Sequence, residues 1–272
     1  MNLSTKVGKG FQQAADKYAA YLETAEGRLR LDLTFAGVEE FLPLPPSSRP
    51  VRALDLGGGT GATAVSLARR GVQVTLLDSS LAMLEIAERN AREAGVGGEV
   101  TLHHGDAAQS GKLFAGELFD VILCHNVLEY IECPGALLSD SAGLMRRDPP
   151  ALLSILVRNR SGEVLKAAIQ AGDLEAAERN LTANWGQESL YGSRVRLFAP
   201  DELFALAKEA GLEVIAERGV RIVADNLPPQ ISREAEYEQI FELERKLGQR
   251  PEFAAIARYT HHFLRLAKGI DE

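Results

Sequence analysis

The stretch LDLGGGTG, residues 54–61, decides the fold of this chain. It joins an apolar run of strand length to ATAVSLARR, in which apolar residues recur at helical spacing. Consecutive glycines let the backbone turn sharply and approach a ligand closely, with free N–H groups facing that ligand. Gly57, Gly59 and Ala62 also satisfy the G-x-G-x-x-A spacing of dinucleotide sites. The stretch therefore predicts a ligand-binding turn between a first strand and its helix.

The alternation of strand and helix continues on the carboxyl side of this glycine turn. Short apolar runs alternate with segments of helical periodicity, which is typical of a parallel sheet with helices on both faces. We predict an α/β fold with a doubly wound, mostly parallel, seven-stranded sheet. Its first five strands are expected at residues 51–56, 72–78, 99–106, 119–125 and 151–159.

The remaining segments are assigned to the same single domain. Residues 1–50 are expected to form two N-terminal helices that end at the proline-rich PLPPSSRP, and residues 51–159 to form the cofactor-binding core. Residues 160–196 are polar and helix-prone, so we predict a helical cap insertion over the carboxyl end of the sheet, where ligands of such folds bind. Residues 197–272 are expected to complete the sheet with strands at LEVIAERGVRIV and ARYTHHFLRLA.

Length and charge limit the classes of protein that this chain can be. With 272 residues, 46% of them hydrophobic and 25% charged, the chain can bury a full core. The formal net charge of −8 disfavours a general affinity for nucleic acid or anionic membrane, although a local basic patch remains compatible with it. No apolar run approaches the roughly 18 residues that are needed to span a bilayer. We therefore expect a cytoplasmic protein.

Cysteines and histidines give neither a disulfide nor a metal signal. Cys124 and Cys133 form no C-x-x-C pair, which favours a reduced setting. Adjacent residues of a strand face opposite sides of the sheet, so neither pair of neighbouring histidines closes readily on one metal, and no metal is predicted. The two pairs are His103 with His104 and His261 with His262.

Acidic side chains at the ends of the next two strands limit the kind of ligand that this turn can bind. Asp78 ends the second strand, 21 residues after Gly57, where a carboxylate can accept hydrogen bonds from both hydroxyls of a ribose. The alternative is a helix N-cap, because Asp78 and two serines precede a helix. Asp106 follows the third strand, where it is placed to receive an adenine amino group. The pattern indicates a ligand of the adenosine type.

Together, four stretches resemble the class I S-adenosylmethionine-dependent methyltransferases. They are LDLGGGTG, the strand that ends at Asp78, GDA at 105–107 and FDVILCHNVLEY. Other stretches are similar to the tRNA 5-carboxymethoxyuridine methyltransferases, which esterify a carboxylate on a wobble uridine. These are EGRLRLDL, CHNVLEYIECP, GVRIVADNL and ELERKLGQRPEFAAIARYTHH. The resemblance implies S-adenosylmethionine as cofactor, S-adenosylhomocysteine as product, and the tRNA anticodon region as partner.

The resemblance also implies which residues contact the cofactor. The matching positions are Arg30, Gly57, Gly58, Asp78, Asp106, Ala107 and His125. We add Gly59 from the glycine turn and Ser79 beside Asp78. A guanidinium such as that of Arg30 can hold the methionine carboxylate through paired hydrogen bonds, although without the resemblance a solvated charge on a helix face is the favoured interpretation.

Substrate-side residues are predicted from cations and hydrogen-bonding groups near strand ends and in the tail. These candidates are Arg158, Asn159, Arg221, Arg258 and Tyr259. An arginine can pair with a carboxylate or phosphate of the acceptor, and a tyrosine can stack on a base. No catalytic base is assigned, because a carboxylate acceptor needs none. For an amine or hydroxyl acceptor, His125 is the candidate base, since it is the histidine expected beside the cofactor.

Three other functions stay open at the level of sequence. The first is a methyltransferase for a small-molecule carboxylate, amine or hydroxyl. The second is a nicotinamide-dependent oxidoreductase, which shares the glycine spacing and Asp78 but has no Tyr-x-x-x-Lys constellation here to support hydride transfer. The third is a noncatalytic protein that binds S-adenosylmethionine. Fold alone does not separate them.

Overall fold

A seven-stranded sheet forms the centre of the molecule. The computed structural model describes residues 15–43, 49–147, 151–188, 190, 192–228 and 230–267. Strands in these ranges are β1 (Arg52–Leu56), β2 (Gln73–Asp78), β3 (Val100–His104), β4 (Val121–His125), β5 (Leu152–Arg158), β6 (Trp185–Gln187), β7 (Arg194–Arg196), β8 (Leu212–Val220) and β9 (Tyr259–Leu266).

The sheet reverses its strand order at the position that matters for ligand binding. The strands follow the order β3-β2-β1-β4-β5-β9-β8. The first five strands pair in parallel, and β9 is antiparallel to both β5 and β8. The order reverses between β1 and β4, and ligands of doubly wound sheets bind at such a reversal, outside the carboxyl ends of the strands. The predicted fold class is confirmed.

Helices cover both faces of the sheet. They are α1 (residues 15–22), α2 (Ala25–Phe41), α3 (Ala62–Ala68), α4 (Leu81–Glu93), α5 (Ser110–Leu113), α6 (Pro134–Leu144), α7 (Arg160–Leu165), α8 (Leu174–Asn180), α9 (Pro200–Glu209), α10 (Tyr237–Gly248) and α11 (Pro251–Ala254). Side chains of β1 alternate between two apolar clusters: Leu54 and Leu56 pack with α6 and α9, and Ala53 packs with α3 and α4. In the described part of the chain, no helix has the length and apolar character to span a membrane.

The two N-terminal helices lie against the edge of the glycine turn. The Thr24 hydroxyl accepts a hydrogen bond from the Gly27 N–H at 3.1 Å, which caps the start of α2. Ala15 of α1 packs on Met83 and Ile86 of α4. Because α4 follows β2, this contact places α1 beside the carboxyl ends of the parallel strands. The start of the first predicted helix and residues 44–48 of the proline-rich connection lie outside the described residues.

The prediction of a helical insertion over residues 160–196 is wrong at its carboxyl end. After α7, a π-helical segment (Lys166–Gln170) and α8, the chain forms the antiparallel pair of β6 and β7. Trp185 pairs with Arg196, and the Arg194 guanidinium lies 4.4 Å from the Trp185 ring centroid. Three-residue strands give too short an alternation for a periodicity argument to detect. The division of the chain into four segments stays a prediction.

A buried carboxylate stabilises the loop that follows β8. The run LEVIAERGVRIV predicts a strand to residue 223, but β8 ends at Val220 because Arg221 adopts a left-handed backbone with φ of 61°. The Glu244 carboxylate of α10 accepts hydrogen bonds from the N–H groups of Ile222, Val223 and Ala224 at 2.7, 2.8 and 2.7 Å. Three donors that would otherwise be unpaired inside the protein are thereby satisfied.

Replacing Glu244 by glutamine tests this contact. We expect Glu244→Gln to lower the free energy of unfolding by about 1–3 kcal/mol, because an amide cannot accept all three hydrogen bonds and leaves buried donors unpaired. Urea denaturation gives the value. Glu238→Gln, at an exposed position of the same helix, is the matched control and is expected to stay within about 0.5 kcal/mol of the wild type. Equal stability of the two variants would contradict this role for Glu244.

Candidate active site

One cavity of about 360 Å³ opens at the carboxyl ends of β1, β2, β4 and β5. It brings together most of the residues that the sequence predicts for the two ligands. Those predicted for the cofactor are Arg30, Gly57, Gly59, Asp78, Ser79, Asp106, Ala107 and His125, and those predicted for the substrate are Arg158, Arg221, Arg258 and Tyr259. The cofactor end and the acceptor end are therefore continuous.

The glycine turn forms one wall of the cavity, and its conformation requires glycine. Gly57 has φ of 63°, and a Cβ atom added to it would lie 2.5 Å from Cγ2 of Val127. The N–H groups of Gly57 and Gly58 both donate to the Leu77 carbonyl, at 2.7 and 3.2 Å. Gly58 faces away from the main cavity, since its Cβ would meet Leu76 and Asp55. Its role is to let the turn close over β1.

Asp78 holds the glycine turn and still has acceptor capacity for a ligand. Its Oδ2 accepts from the Gly59 N–H at 2.9 Å, and its Oδ1 accepts from the Ser80 N–H at 2.8 Å. Ser80 supplies the helix cap, because its hydroxyl accepts from the Met83 N–H at the start of α4. Burial raises the pKa of Asp78, although the backbone donors oppose that shift. A carboxylate oxygen can accept more than one hydrogen bond, so ribose hydroxyls can also be received.

Asp106 and Ala107 form the opposite wall. The Asp106 Oδ1 accepts from the Ala108 N–H at 2.9 Å and starts a short 3₁₀ turn (Ala107–Gln109). This contact fixes the side chain at the end of the loop after β3. Ala107 is buried within the apolar cluster of β4 and α6. The wall thus offers one fixed carboxylate beside an apolar surface, which suits an adenine ring with its amino group.

Arg30 is a buried cation whose described hydrogen-bond partners are neutral. Its guanidinium donates to Asn126 Oδ1 and to the Tyr18 hydroxyl, each at 2.8 Å, and lies 5.3 Å from the Tyr21 ring centroid. Its Nε has no hydrogen-bond partner in the described part of the structure. A buried charge normally has a counter-charge. The carboxylate of a bound amino-acid moiety would supply one.

His125 ends β4 at the cavity, and a hydrogen-bonded chain of two further residues fixes its ring. Its Nε2 lies 2.8 Å from the Ser154 hydroxyl, which in turn lies 2.7 Å from Nε2 of His261. Burial and the nearby Arg30 lower the pKa of His125 to about 3. The imidazole is therefore neutral at physiological pH and is a weak base.

At the acceptor end, three arginines are oriented by carboxylates. Arg158 contacts Glu163 at 3.2 Å and Glu188 at 3.3 Å, and Arg258 contacts the same Glu163 at 3.2 Å. Arg221 is similarly held: its Nε donates to Asp225 at 2.8 Å and its Nη1 donates to the Tyr21 hydroxyl at 3.0 Å. Ion pairs with low exposure restrict the guanidiniums to defined orientations, and all three arginines line the cavity.

Asn159 does not line this cavity, in contrast to its predicted place on the substrate side. Its side-chain amide donates to the carbonyls of Ala255 and Ala257, both at 2.9 Å, and its Oδ1 accepts from the Ser161 N–H at the start of α7. The residue is fully buried. Its position near the end of the fifth predicted strand suggested a ligand contact. Successive side chains of an extended chain point to opposite faces, however, and that of Asn159 points into the protein.

Several cavity residues were missed by sequence reasoning. Tyr18 and Tyr21 come from α1, whose helical spacing gave no sign of a ligand. Glu129 lies within the resembling stretch FDVILCHNVLEY and accepts from the Arg158 N–H and from the Asn126 amide, both at 3.0 Å. The insertion contributes further side chains, namely Lys166, Gln170 and Glu188. No cluster of histidine, cysteine or acidic side chains suited to a metal ion occurs among the described residues.

Known proteins are similar to this chain in sequence. A profile of the methyltransferase domain family matches residues 21–217. The chain is 27% identical, over 97% of its length and 98% of the relative, to the tRNA 5-carboxymethoxyuridine methyltransferase of Escherichia coli. It is 30% identical, over 62% of each chain, to the ubiquinone biosynthesis O-methyltransferase of Ruegeria pomeroyi.

Solved structures agree with these matches at the level of the fold. The CcbJ methyltransferase of Streptomyces caelestis aligns with a TM-score of 0.61 at 19% identity, over 95% of this chain and 98% of that one. Magnesium protoporphyrin IX methyltransferase of Synechocystis aligns with a TM-score of 0.63 at 15% identity, over 98% and 100%.

The sheet order, the glycine turn, Asp78 and the buried Arg30 together define an S-adenosylmethionine-dependent methyltransferase. The chain belongs to the methyltransferase domain family, whose profile spans most of its length. The alternatives of a nicotinamide-dependent oxidoreductase and a noncatalytic binding protein are set aside accordingly. The residues present suit the cofactor: Gly57 and Gly59 allow close backbone approach, and Asp78 can receive the ribose. Among the described residues, the hydrogen-bond partners of Arg30 are the neutral Asn126 and Tyr18.

Replacing Gly57 by alanine tests the assignment of the glycine turn. We expect Gly57→Ala to weaken binding of S-adenosylhomocysteine at least about tenfold, because the new Cβ would collide with Val127 and the positive φ is strained for alanine. Isothermal titration calorimetry measures the affinity. Gly71→Ala is the matched control: Gly71 also has a positive φ, 78°, but no atom lies within 4 Å of an added Cβ. An unchanged affinity of Gly57→Ala for S-adenosylhomocysteine would contradict the assignment of the glycine turn to the cofactor site.

Proposed function

We propose that the protein transfers the methyl group of S-adenosylmethionine to the carboxylate of 5-carboxymethoxyuridine in tRNA. The relative of that name in Escherichia coli aligns over almost the whole of both chains, including the segments beyond the methyltransferase profile. The sequence stretches that resemble the tRNA 5-carboxymethoxyuridine methyltransferases also lie largely outside the cofactor motif. The acceptor would be a wobble uridine in the anticodon region, and the reaction would take place in the cytosol.

A group of guanidiniums around Tyr259 carries the proposal. Burial alone would raise the pKa of Tyr259, yet the positive charges of Arg158, Arg30, Arg221 and Arg258 lower it to about 8. A phenol whose ionisation is favoured inside a protein reports a strongly positive local potential. The same potential favours an anionic acceptor over a neutral one, despite the acidic net charge of the chain.

The state of His125 also favours a carboxylate acceptor. An amine or a hydroxyl group has to lose a proton during methyl transfer, and a base with a pKa of about 3 is poorly matched to that task. A carboxylate is already ionised at neutral pH and needs no base. Bound S-adenosylmethionine supplies an activated methyl group, so the work left to the protein is positioning and the exclusion of water.

The residues of this chain divide that work. Asp78 and Asp106 would hold the nucleoside part of the cofactor, and Arg30 its carboxylate. Arg158 and Arg258 would orient the acceptor carboxylate through N–H groups that their ion pairs leave available. Arg258 lines the cavity, and the 3.2 Å ion pair between its Nη1 and Glu163 limits the orientation of its guanidinium.

Mass spectrometry of tRNA nucleosides tests the proposed reaction directly. Bulk tRNA that carries 5-carboxymethoxyuridine is incubated with the full chain and isotopically labelled S-adenosylmethionine, then digested. We expect label in the methyl ester of that nucleoside and none in tRNA that lacks the carboxymethoxy group. If S-adenosylhomocysteine binds but no tRNA nucleoside is labelled, the acceptor is a small molecule and the tRNA assignment is wrong.

An arginine variant tests the acceptor end separately. Arg258→Gln is expected to lower kcat/KM for tRNA about tenfold, mainly through KM, because one charge-assisted contact to the acceptor is lost. Affinity for S-adenosylhomocysteine should stay at the wild-type value. Arg265→Gln, at an exposed position of β9, the strand that directly follows Arg258, is the control and should change neither quantity. A wild-type KM in Arg258→Gln would remove this residue from the acceptor site.

A further inference from the structure

Tyr259 lies where the two ends of the cavity meet. It begins β9, where it is opposite Arg158 of β5 on one side and Val220 of β8 on the other. Its ring centroid is 5.9 Å from the guanidinium carbon of Arg30 and 5.6 Å from that of Arg158. Only 4% of the residue is exposed. The ring is thus fixed between the cation assigned to the cofactor and a cation assigned to the acceptor.

The hydroxyl of this tyrosine has no partner in the described part of the structure. No described residue donates to it or accepts from it, and the atom is not sealed from the cavity that the residue lines. A buried tyrosine hydroxyl usually has a hydrogen-bond partner. The free donor therefore indicates a place for a ligand acceptor atom.

The charges around this hydroxyl favour an anion as the missing partner. The guanidiniums of Arg30 and Arg158 lie against the ring, and the charges of Arg221, Arg258 and the half-buried Lys166 also act on the phenol. The acids nearby are held in ion pairs with three of the four guanidiniums. These acids are Glu163, Glu188 and Asp225, and Glu129 accepts from the backbone of Arg158. Tyr21 and Tyr130 are the neighbouring phenols. An incoming carboxylate would meet donors from several directions.

We propose that the Tyr259 hydroxyl donates a hydrogen bond to one oxygen of the acceptor carboxylate and so leaves the other oxygen to receive the methyl group. This inference rests on the proposed function, since it requires a carboxylate acceptor. No proton has to leave the acceptor, so Tyr259 keeps its own proton throughout. It acts by contact with the substrate and orients the reacting oxygen, as near-attack geometry requires.

A dependence on pH follows from the surroundings of Tyr259. The four guanidiniums hold its pKa at about 8. Below that pH the phenol is neutral and donates its proton in a hydrogen bond. Above it the phenolate has no proton to donate and repels the acceptor carboxylate. Activity should therefore fall as the pH rises through about 8, and a bound carboxylate should raise the pKa because it stabilises the neutral phenol.

Spectrophotometric titration tests the contact without any assumption about tRNA. Phenolate absorbance is followed against pH in the full chain saturated with S-adenosylhomocysteine, and the titration of Tyr259→Phe is subtracted. We expect a midpoint near pH 8 that moves upward when acetate is added as a carboxylate probe. Tyr237→Phe, which removes a phenol bonded to Asp32 outside the cavity, should leave both features unchanged. A midpoint that acetate does not move overturns the inference.

Kinetics with carboxymethoxyuridine tRNA supply the second readout. Tyr259→Phe should lower kcat/KM about 10- to 100-fold and abolish the decline of activity above about pH 8. The free energy of unfolding and the affinity for S-adenosylhomocysteine should stay unchanged. If the wild type is active and Tyr259→Phe is equally active with the same pH profile, the inference is overturned and the proposed function stays intact. A wild type that labels no tRNA would contradict the proposed function, and the acetate titration would still decide the role of Tyr259.

Discussion

The hydrogen bond from the Gly59 N–H to the Asp78 carboxylate, at 2.9 Å, ties the end of β2 to the turn after β1. Together with the donation of Gly57 and Gly58 to the Leu77 carbonyl, it fixes the glycine turn in a conformation that only residues tolerant of positive φ adopt. The turn can form only if β1 and β2 are paired in register, with Leu56 beside Leu77. The geometry of the cofactor site therefore depends on the correct pairing of these two strands.

This arrangement concentrates negative charge beneath the turn. Asp55 lies below Gly58, and burial, together with the charge of Asp78, raises its pKa to about 7. Two carboxyls so close cannot both ionise without cost, so the backbone donors that Asp78 receives favour ionisation there. With a pKa of about 7, Asp55 is only partly ionised at neutral pH, and Asp78 remains the acceptor for the ligand.

Sequence periodicity predicted the parallel core because its strands and helices are long enough to show their period. Asp78 and Asp106 could be proposed as cofactor contacts because they lie at the ends of the second and third predicted strands, whereas Arg30, on α2, was proposed from the family resemblance. The acceptor end was predicted less completely. Arg158 and Tyr259 are 101 positions apart in the sequence, yet β5 and β9 place them opposite each other. Tyr18, Tyr21 and Glu129 reach the cavity through tertiary packing that no local pattern encodes. Asn159 was misplaced because adjacency to a cavity residue does not specify the direction of a side chain in an extended chain.

Net charge was a poor guide to the acceptor for a related reason. The chain carries eight more negative than positive charges, but an acceptor responds to the local potential inside the cavity, and around Tyr259 four guanidiniums lower the pKa of the phenol to about 8. Those acids are bonded to the cations: Glu163 holds both Arg158 and Arg258, and Asp225 holds Arg221. Donors that are already oriented need not reorganise when an anion arrives. The acidic residues of the site thus promote anion recognition, because they determine where the positive charges point.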